Sequence, residues 1–284
     1  MEPIKTVTVA GVGLIGGSFA LALRRLGFRG RILGVSSPRT IAEATSLGVV
    51  DQGCTLAEAV PQSQLVYMAQ PVERIVRQLE TVRGLAQSDA LVTDAGSTKS
   101  VIVSKAAELF GDGPHFVGGH PMAGKEGRGV AIADADLFEG ATYALVPTGD
   151  SVPCTPVIRQ FREWLDRMGC RQREMRADHH DAVVAWTSHM PQLISTSLAA
   201  AIGRALDGMG EIDLAGSGLR DMTRLAASSH DVWAGILRTN LGPIQAALKA
   251  VAVEIEDLRQ ALERGEEKGH FERGQQLRRR LAVR

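Results

Sequence analysis

The stretch that decides the fold is "VAGVGLIGGSFALALRRLG", Val9 to Gly27, near the amino terminus. A short apolar run meets three glycines at GxGxxG spacing, Gly11, Gly13 and Gly16, and a helix-like stretch follows. The first glycine permits a tight turn, the second lets the backbone approach a pyrophosphate, and the third lets the helix pack on the strand. The amino terminus of that helix offers N–H groups and a positive dipole end to phosphates. The motif therefore predicts a bound dinucleotide, against the alternative of a glycine-rich turn with no ligand.

The composition indicates a globular protein. The chain has 284 residues, of which 44% are hydrophobic and 23% charged, so it can bury a sizeable core. Its formal net charge is zero, which argues against broad binding to nucleic acid or to an anionic membrane. We find no membrane span and no signal peptide in the sequence. Three widely spaced cysteines, Cys54, Cys154 and Cys170, favour a reducing cytoplasm over a disulfide framework.

Short apolar runs alternate with helical patterns over the first part of the chain. Strands are predicted at Thr6–Ala10, Arg31–Ser36, Gln64–Ala69, Ala90–Thr93, Phe116–Gly118, Ala141–Val146 and Arg171–Met175. Helices are predicted between them at Ser18–Leu26, Val72–Val82, Thr98–Leu109 and Pro156–Met168. This alternation predicts an α/β fold with a Rossmann-like, doubly wound parallel sheet.

The second part of the chain has only helical patterns. They run from His180 to Leu206, from Leu219 to Ala227 and from Val232 almost to Arg264, and the charged tail from Gly265 is predicted to be partly ordered or helical. We therefore place a Rossmann-like, dinucleotide-binding domain at residues 1–176 and an all-helical domain, expected to hold substrate and a dimer surface, at residues 177–284. About 20 residues follow Arg264, so we expect no separate regulatory domain.

The stretch "GVSSPRT", Gly34 to Thr40, bears on the choice of cofactor. NAD-binding chains usually carry an acidic residue about 20 residues past the last glycine, where it holds the ribose 2′-hydroxyl. Here that point is Ser36, and no carboxylate stands between Ser36 and Thr40. Hydroxyls and the Arg39 guanidinium suit a 2′-phosphate, so we predict NADP, with NAD possible. The predicted cofactor-binding residues are Gly11, Gly13, Leu14, Ile15, Gly16, Ser36, Ser37, Arg39 and Thr40.

Four further stretches carry a family resemblance. They are "DAGSTKS" (Asp94–Ser100), "GGHPMAGKEGRG" (Gly118–Gly129), "HDAVVAWTSHMPQ" (His180–Gln192) and "SGLRDMTR" (Ser217–Arg224). Together with the glycine loop they resemble the prephenate/arogenate dehydrogenase family of tyrosine biosynthesis. The resemblance implies NAD(P)-dependent oxidation of a small cyclohexadienol, which loses its ring carboxylate as CO2 and becomes aromatic. It also implies a homodimer formed through the helical domain.

The resemblance assigns roles to particular residues. His120 would accept the hydroxyl proton of the substrate, with Ser97 beside it, because a neutral imidazole can accept a proton near pH 7. Arg224 would bind a substrate carboxylate, and Arg220 lies four residues earlier, although both could be ordinary surface arginines. The predicted substrate-binding residues are Arg224, Arg220, His189, Gln192, Trp233, Glu126 and Asp221. No metal is expected, because adjacent histidines such as His179 and His180 would diverge on a helix.

The helix that begins at His180 carries two further expectations. Asp181, Ala185, Ser188 and Gln192 are spaced to share one face, and Pro191 is expected to kink the helix. Prephenate-type family members often have a histidine where this chain has Gln192. A neutral amide can accept a hydrogen bond from the ammonium of L-arogenate, so this position favours L-arogenate. Prephenate alone, or both substrates as in a cyclohexadienyl dehydrogenase, stay open.

Two other functional classes share features of this sequence. A β-hydroxyacid or 6-phosphogluconate-type dehydrogenase would use a lysine on the second-domain helix, and the stretch from His180 to Leu198 contains none. A non-catalytic NADP-binding sensor would keep the glycine loop, but it would have no use for His120, Ser97 and Arg224 together.

Overall fold

The computed structural model describes residues 4–111, 113–207 and 212–282. Within these ranges the strands are β1 (Thr6–Ala10), β2 (Arg31–Val35), β3 (Gln52–Gly53), β4 (Leu65–Met68), β5 (Leu91–Asp94), β6 (His115–Pro121), β7 (Thr142–Pro147) and β8 (Arg171–Glu174). The α-helices are α1 (Leu14–Arg25), α2 (Pro38–Ser46), α3 (Leu56–Ala59), α4 (Val72–Leu85), α5 (Ser100–Leu109), α6 (Pro156–Arg167), α7 (Ala177–Val184), α8 (Met190–Ala205), α9 (Ser217–Thr223), α10 (His230–Thr239), α11 (Leu241–Arg264) and α12 (Lys268–Ala282). A π-helical turn, Ala185–His189, separates α7 from α8.

The strands form one sheet in the order β3-β2-β1-β4-β5-β6-β7-β8. The described pairings are parallel except that β7 runs antiparallel to β6. An antiparallel neighbour needs no helical crossover, and a loop joins these two strands. The chain adds β2 and β3 on one side of β1 and then returns to place β4 on the other side. The predicted doubly wound, Rossmann-like fold is confirmed, and the switch between β1 and β4 is where such sheets bind ligands.

The central strands are buried on both faces, which explains their continuous apolar sequences. All residues of β1, β4 and β5 are buried. One core cluster includes Phe19 of α1, whose ring stacks on that of Tyr67 with centroids 4.0 Å apart. A second cluster includes Ile75 and Leu79 of α4 together with strand residues. Helices cover both faces of a parallel sheet in this architecture, so its strands lack the polar alternation of a half-exposed sheet.

The described chain packs as two compact units. The first unit holds the residues up to Val184 together with Ala227–Asn240, and the second holds Ala185–Ala226 and the chain from Leu241 onward. Helices α7 and α10 therefore pack with the sheet, although both lie beyond residue 176. The side chain of Arg238 on α10, for example, donates to Glu73 on α4 at 2.7 Å. The domain boundary after residue 176 stays a prediction. In the structure, α7 and α10 belong to the first compact unit although they lie beyond that boundary.

Two helical predictions need correction. The helix expected to run from Val232 almost to Arg264 is split at Asn240 into α10 and α11. The Asn240 amide donates to the carbonyl oxygen of Asp181 at 2.8 Å, which ties the break to α7. The irregularity expected at Pro191 lies earlier, in the π turn at Ala185–His189, and Pro191 occupies the first turn of α8. A π turn changes the helical spacing, so the face predicted from Asp181 to Gln192 does not continue regularly.

The charged tail, which was predicted to be partly ordered or helical, forms a helix over Lys268–Ala282. Among the described residues, no helix combines the length and apolarity that crossing a membrane requires.

Candidate active site

The glycine loop has the geometry that its spacing predicts. Gly11 has φ +97°, and a Cβ atom there would lie 2.3 Å from the carbonyl oxygen of Ala69. A Cβ atom at Gly16 would lie 2.1 Å from the carbonyl oxygen of Gly11. At Gly13, by contrast, a Cβ atom would meet nothing within 4 Å. The first and third glycines are thus required by packing, and the second faces open space.

That space lies at the amino terminus of α1. Gly13 is the residue that precedes the helix, and no side chain caps the terminus. No acidic side chain stands in the first turn, which includes the predicted residues Leu14 and Ile15. The unsatisfied N–H groups and the positive end of the helix dipole suit a phosphate group. The loop therefore fits the pyrophosphate of a dinucleotide.

A cleft of about 390 Å³ opens beside the glycine loop, wholly within the first unit. It is lined by Ile15 of α1, by residues 69–73 after β4, by residues 95–97 after β5 and by residues of α10. Carboxyl ends of neighbouring parallel strands thus meet at the cleft, as the fold leads us to expect. Ser97, predicted to assist catalysis, is among the lining residues.

Gln70 is a cleft residue that the sequence analysis missed. Its side chain is 9% exposed, and its Oε1 atom has no hydrogen-bond partner among the described residues. A buried amide oxygen without a donor is costly, so its presence points to a ligand that donates a hydrogen bond. Its position could have identified it from the sequence, because it is a polar residue two places after the buried strand β4.

The residues expected to read the 2′ position of the ribose lie together after β2. Ser37 precedes α2, and its Oγ accepts from the Thr40 backbone N–H at 3.2 Å. The Ser37 and Thr40 hydroxyl oxygens are 2.8 Å apart. Arg39 is exposed and Ser36 half-buried. These residues therefore form the amino-terminal end of α2, and no carboxylate stands among them to repel a phosphate group.

His120 lies near the end of β6 and is half-buried. Its Nδ1 atom is 2.8 Å from Nε2 of His180, on α7. The Nδ1 atom of His180 is 2.8 Å from a carboxylate oxygen of Asp181. In the sequence His180 stands out only as a possible metal ligand, and no motif there indicates this contact. Across the described residues, no three His, Cys, Asp or Glu side chains are placed to bind one metal ion.

A buried ion pair lies behind His120 and Ser97. Lys99 and Asp94 are fully buried and bind one another, and the Lys99 ammonium also donates to the carbonyl oxygen of Gly119 at 2.6 Å. The other Asp94 oxygen accepts from the Gly119 N–H at 3.1 Å. Burial lowers the pKa of Lys99, and the Asp94 carboxylate opposes that shift. The pair thus joins the end of β5, the start of α5 and β6, which flank Ser97 and carry His120.

The second unit carries most of the residues predicted to bind substrate. Arg220 and Asp221 lie on α9, Arg224 follows it, and all three are exposed. Gln192 on α8 is 4% exposed. Its amide nitrogen donates to the carbonyl oxygen of Leu225 at 2.8 Å and to the Thr196 hydroxyl at 3.2 Å. His189 is buried at the end of the π turn. The Gln192 amide therefore joins α8 to the segment that contains Leu225, next to Arg224 in sequence.

Two further predicted residues lie in the first unit. Trp233 is half-buried on α10, and its neighbours Val232 and Ala234, rather than Trp233, are among the described residues that line the cleft. Glu126 is exposed in the loop after β6. The structure therefore brings together the glycine loop, Ser97 and the segment that carries His120 in the first unit. The arginines lie in the second unit.

Comparisons with known proteins agree with this organisation. Residues 19–172 match the family model for the prephenate dehydrogenase nucleotide-binding domain, and residues 176–276 match that for the dimerization domain. A prephenate dehydrogenase of Bacillus subtilis is 33% identical over 270 residues, which cover 94% of this chain and 72% of that protein.

Two solved structures are also similar. Prephenate dehydrogenase from A. aeolicus, in complex with hydroxyphenyl propionate and NAD+, has a TM-score of 0.88 at 28% identity, covering 100% of this chain and 99% of that chain. Synechocystis arogenate dehydrogenase has a TM-score of 0.81 at 27% identity, covering 97% and 99%. With the matched domains and the site geometry, these similarities show that this chain belongs to the prephenate dehydrogenase family of NAD(P)-dependent oxidoreductases.

Proposed function

We propose that this chain catalyses the oxidative decarboxylation of L-arogenate to L-tyrosine, with NADP+ as the hydride acceptor. The observation that carries the proposal is the placement of His120. Its half-buried imidazole lies on β6, beside the strand β5 whose following residues line the cofactor cleft. We propose that this base, on the strand next to β5, acts on a molecule bound beside the dinucleotide.

In this proposal His120 withdraws the proton from the substrate hydroxyl. The O–H bond breaks, and a new N–H bond forms on the imidazole. Ser97 helps to orient the hydroxyl. When bound, the nicotinamide ring supplies the hydride acceptor. Aromatisation and release of CO2 make the reaction favourable, so the chain has to supply a base, orientation and carboxylate binding.

The arginines of the second unit are proposed to bind the substrate carboxylates. Arg224 and Arg220 carry permanent charges and present planar sets of donors that match a carboxylate. Asp221, between them in sequence, is proposed to orient Arg224. Glu126 and Trp233 of the first unit are each proposed as substrate-binding residues. His189 and Gln192 are proposed to meet the side-chain end of the substrate. Both arginines are exposed on the second unit.

NADP+ is proposed over NAD+ because of the residues that follow β2. Arg39 is exposed at the start of α2, and the sequence from Ser36 to Thr40 has no carboxylate to repel a 2′-phosphate. The α2 terminus adds a positive dipole end. The similar A. aeolicus enzyme was crystallised with NAD+, so NAD+ is the second candidate.

The protein is proposed to act as a homodimer in the cytoplasm. Exposed apolar side chains on α11 and α12, such as Ile255, Leu262 and Phe271, support a partner surface on the second unit. The match to a dimerization domain supports it too. Cys54, Cys154 and Cys170 are free thiols, which supports a reducing compartment.

A steady-state assay with four combinations tests the proposed function. Prephenate or L-arogenate is supplied with NAD+ or NADP+, and formation of reduced nicotinamide is followed. We expect the highest kcat/KM with L-arogenate and NADP+. The cofactor preference should reach at least about tenfold, equivalent to about 1.4 kcal/mol. Higher activity with prephenate and NAD+ would reject both specificity assignments, and equal use of the two substrates would favour a cyclohexadienyl dehydrogenase.

Replacing Gln192 by His should shift the substrate preference toward prephenate. The amide oxygen can accept from the arogenate ammonium, whereas an imidazole able to gain a proton would repel it. We expect the ratio of kcat/KM for L-arogenate to that for prephenate to fall by about tenfold, a typical effect of one lost charge-assisted hydrogen bond. Thr196→Val is the matched control, because it removes a packing partner of the Gln192 amide without adding a charge. An unchanged ratio in Gln192→His would remove Gln192 from the specificity argument.

A further inference from the structure

Three side chains of the first unit form a hydrogen-bonded line that ends at His120. His120 Nδ1 lies 2.8 Å from His180 Nε2, and His180 Nδ1 lies 2.8 Å from Asp181 Oδ1. His180 is 1% exposed and Asp181 2% exposed, whereas His120 is half-buried. The line therefore runs from the protein interior to the half-buried His120.

Asp181 is fixed in place by the start of α5. Its two carboxylate oxygens accept from the backbone N–H groups of Lys99 at 2.7 Å and Ser100 at 2.8 Å. Burial raises the pKa of Asp181, but hydrogen bonds from His180, Ser100 and Lys99 outweigh it, and the pKa lies below its usual value. A carboxyl with a lowered pKa is ionised at neutral pH. The stability that it contributes is present above its unfolded pKa, about 3.9, and is lost as the pH falls through the lower folded value.

The ionised carboxylate determines where the protons are along the line. A carboxylate can only accept, so His180 must carry its proton on Nδ1. A neutral His180 then has a lone pair on Nε2, which can only accept a hydrogen bond from the Nδ1–H group of His120. A neutral His120 that donates through Nδ1 has its lone pair on Nε2. This is the tautomer that a base needs if Nε2 is to take the substrate proton.

We propose that His180 and Asp181 are positioning residues that hold His120 in its Nδ1–H tautomer and stabilise the imidazolium that forms when Nε2 takes the substrate hydroxyl proton. This inference rests on the proposed role of His120 as the base. The proton moves from the substrate oxygen to His120 Nε2, while His180 and Asp181 keep their own protonation states. Their contribution is orientation and the negative charge of Asp181 at the far end of the line.

The other ionisable groups near the hydrogen-bonded line are paired elsewhere, neutral or at least partly exposed. The Lys99 ammonium is bound to Asp94 rather than to His180. On β7, which packs against α7, burial raises the pKa of Tyr143 well above its usual value, so this side chain is neutral. The remaining described ionisable residues of α5 and α7 are exposed or half-exposed, and they are Lys105, Glu108, Asp178 and His179. The Asp181 carboxylate is therefore the charge that acts on His120 through His180.

The experiment compares His180→Leu, His180→Gln and Asp181→Asn with the parent enzyme. In His180→Leu we expect kcat to fall by about 10- to 100-fold, with KM within about twofold, because the base weakens but substrate contacts remain. The acidic limb of the pH profile of kcat/KM should move to lower pH, because loss of the acceptor and of the charge behind it makes His120 less basic. His180→Gln, whose amide oxygen can accept from His120, should recover part of kcat. Asp181→Asn should move the acidic limb in the same direction.

Asp178→Asn is the matched control. It removes an exposed carboxylate from the same helix, where Asp178 is paired with Arg176, and its pH profile should equal that of the parent enzyme. A purely structural role for His180 would lower thermal stability and cofactor affinity without moving the acidic limb. An unmoved limb in both His180→Leu and Asp181→Asn would overturn the proposal.

A second readout needs no substrate. Histidine ring 15N spectra of the ligand-free protein above pH 7.5 report which nitrogen is protonated, and the chain has seven histidines to assign by substitution. We expect His120 to carry its proton on Nδ1 in the parent protein. A proton on Nε2 would overturn the proposed line even in an active enzyme. Inactivity with all four substrate and cofactor pairs would instead reject the proposed function and leave the tautomer measurement valid.

Discussion

Replacing His120 by Asn is expected to lower kcat by about 10²- to 10⁴-fold, the usual contribution of a general base. Asn keeps a polar side chain of similar reach toward His180 but cannot take up the hydroxyl proton. The lining of the cleft beside the glycine loop includes Ile15, the segments after β4 and β5, and α10, and His120 is not part of that lining among the described residues. The dissociation constant for NADP+, measured by titration, should therefore stay within about twofold of the parent value.

His115→Asn is the matched control for this variant. His115 lies on the same strand, β6, at its amino end, whereas His120 lies near its carboxyl end. Its kcat should be close to that of the parent enzyme. A His120→Asn variant that keeps most of its activity would reject His120 as the base. Intact catalysis would then have to come from a group in the second unit or from the substrate itself.

Replacing Lys99 by Met is expected to give the largest loss of stability. The substitution leaves the fully buried Asp94 carboxylate without its cation, and breaking a buried pair from one side costs about 3–5 kcal/mol. Two backbone N–H groups, from Gly96 at 2.7 Å and Gly119 at 3.1 Å, still donate to Asp94, so we expect the lower end of that range. Urea unfolding of the ligand-free protein, followed by circular dichroism, measures the change.

The double variant Asp94→Asn with Lys99→Met distinguishes pairing from packing. Because neither charge is then left buried alone, the double variant should lose less free energy of unfolding than the sum of the losses in Asp94→Asn and Lys99→Met measured singly. Lys105→Met is the exposed control, because Lys105 pairs with Glu108 at 2.9 Å on the outer side of α5. Its urea midpoint should hardly change. Additive losses in the double variant would mean that Lys99 and Asp94 contribute separately, mainly through packing.

Much of the fold could be predicted because it depends on local patterns. The run from Val9 to Gly27 contains a strand, a turn and a helix whose glycines have fixed steric roles, so its geometry follows from the sequence. The buried strands β1, β4 and β5 are apolar enough to be recognised singly. The short strand β3 and helices α2 and α3 were missed, since their patterns are weak over so few residues. The reversal of β7 depends on its pairing partner, which no local pattern specifies.

The site was predicted only in part for the same reason. His120 and Ser97 were predicted because they stand in motifs that resemble a known family, and their roles stay a prediction. Gln70 and the line through His180 to Asp181 were missed, because a buried amide without a partner and a histidine backed by a carboxylate become visible only when distant segments meet. His120 and His180 are 60 residues apart in the chain, yet their ring nitrogens are 2.8 Å apart.

The sequence by itself determined a dinucleotide-binding loop and an α/β sheet followed by helices, and it predicted candidate residues for proton abstraction and carboxylate binding. These follow from steric limits on glycine, from the period of apolar residues and from side-chain chemistry, all of which act over a few neighbouring positions. Only the tertiary structure decided that α7 and α10 pack with the sheet, and that Asp181 caps α5 while accepting from His180. These features depend on burial and hydrogen bonding between segments that are distant in the chain. Such contacts are fixed only when the folded chain brings those segments together.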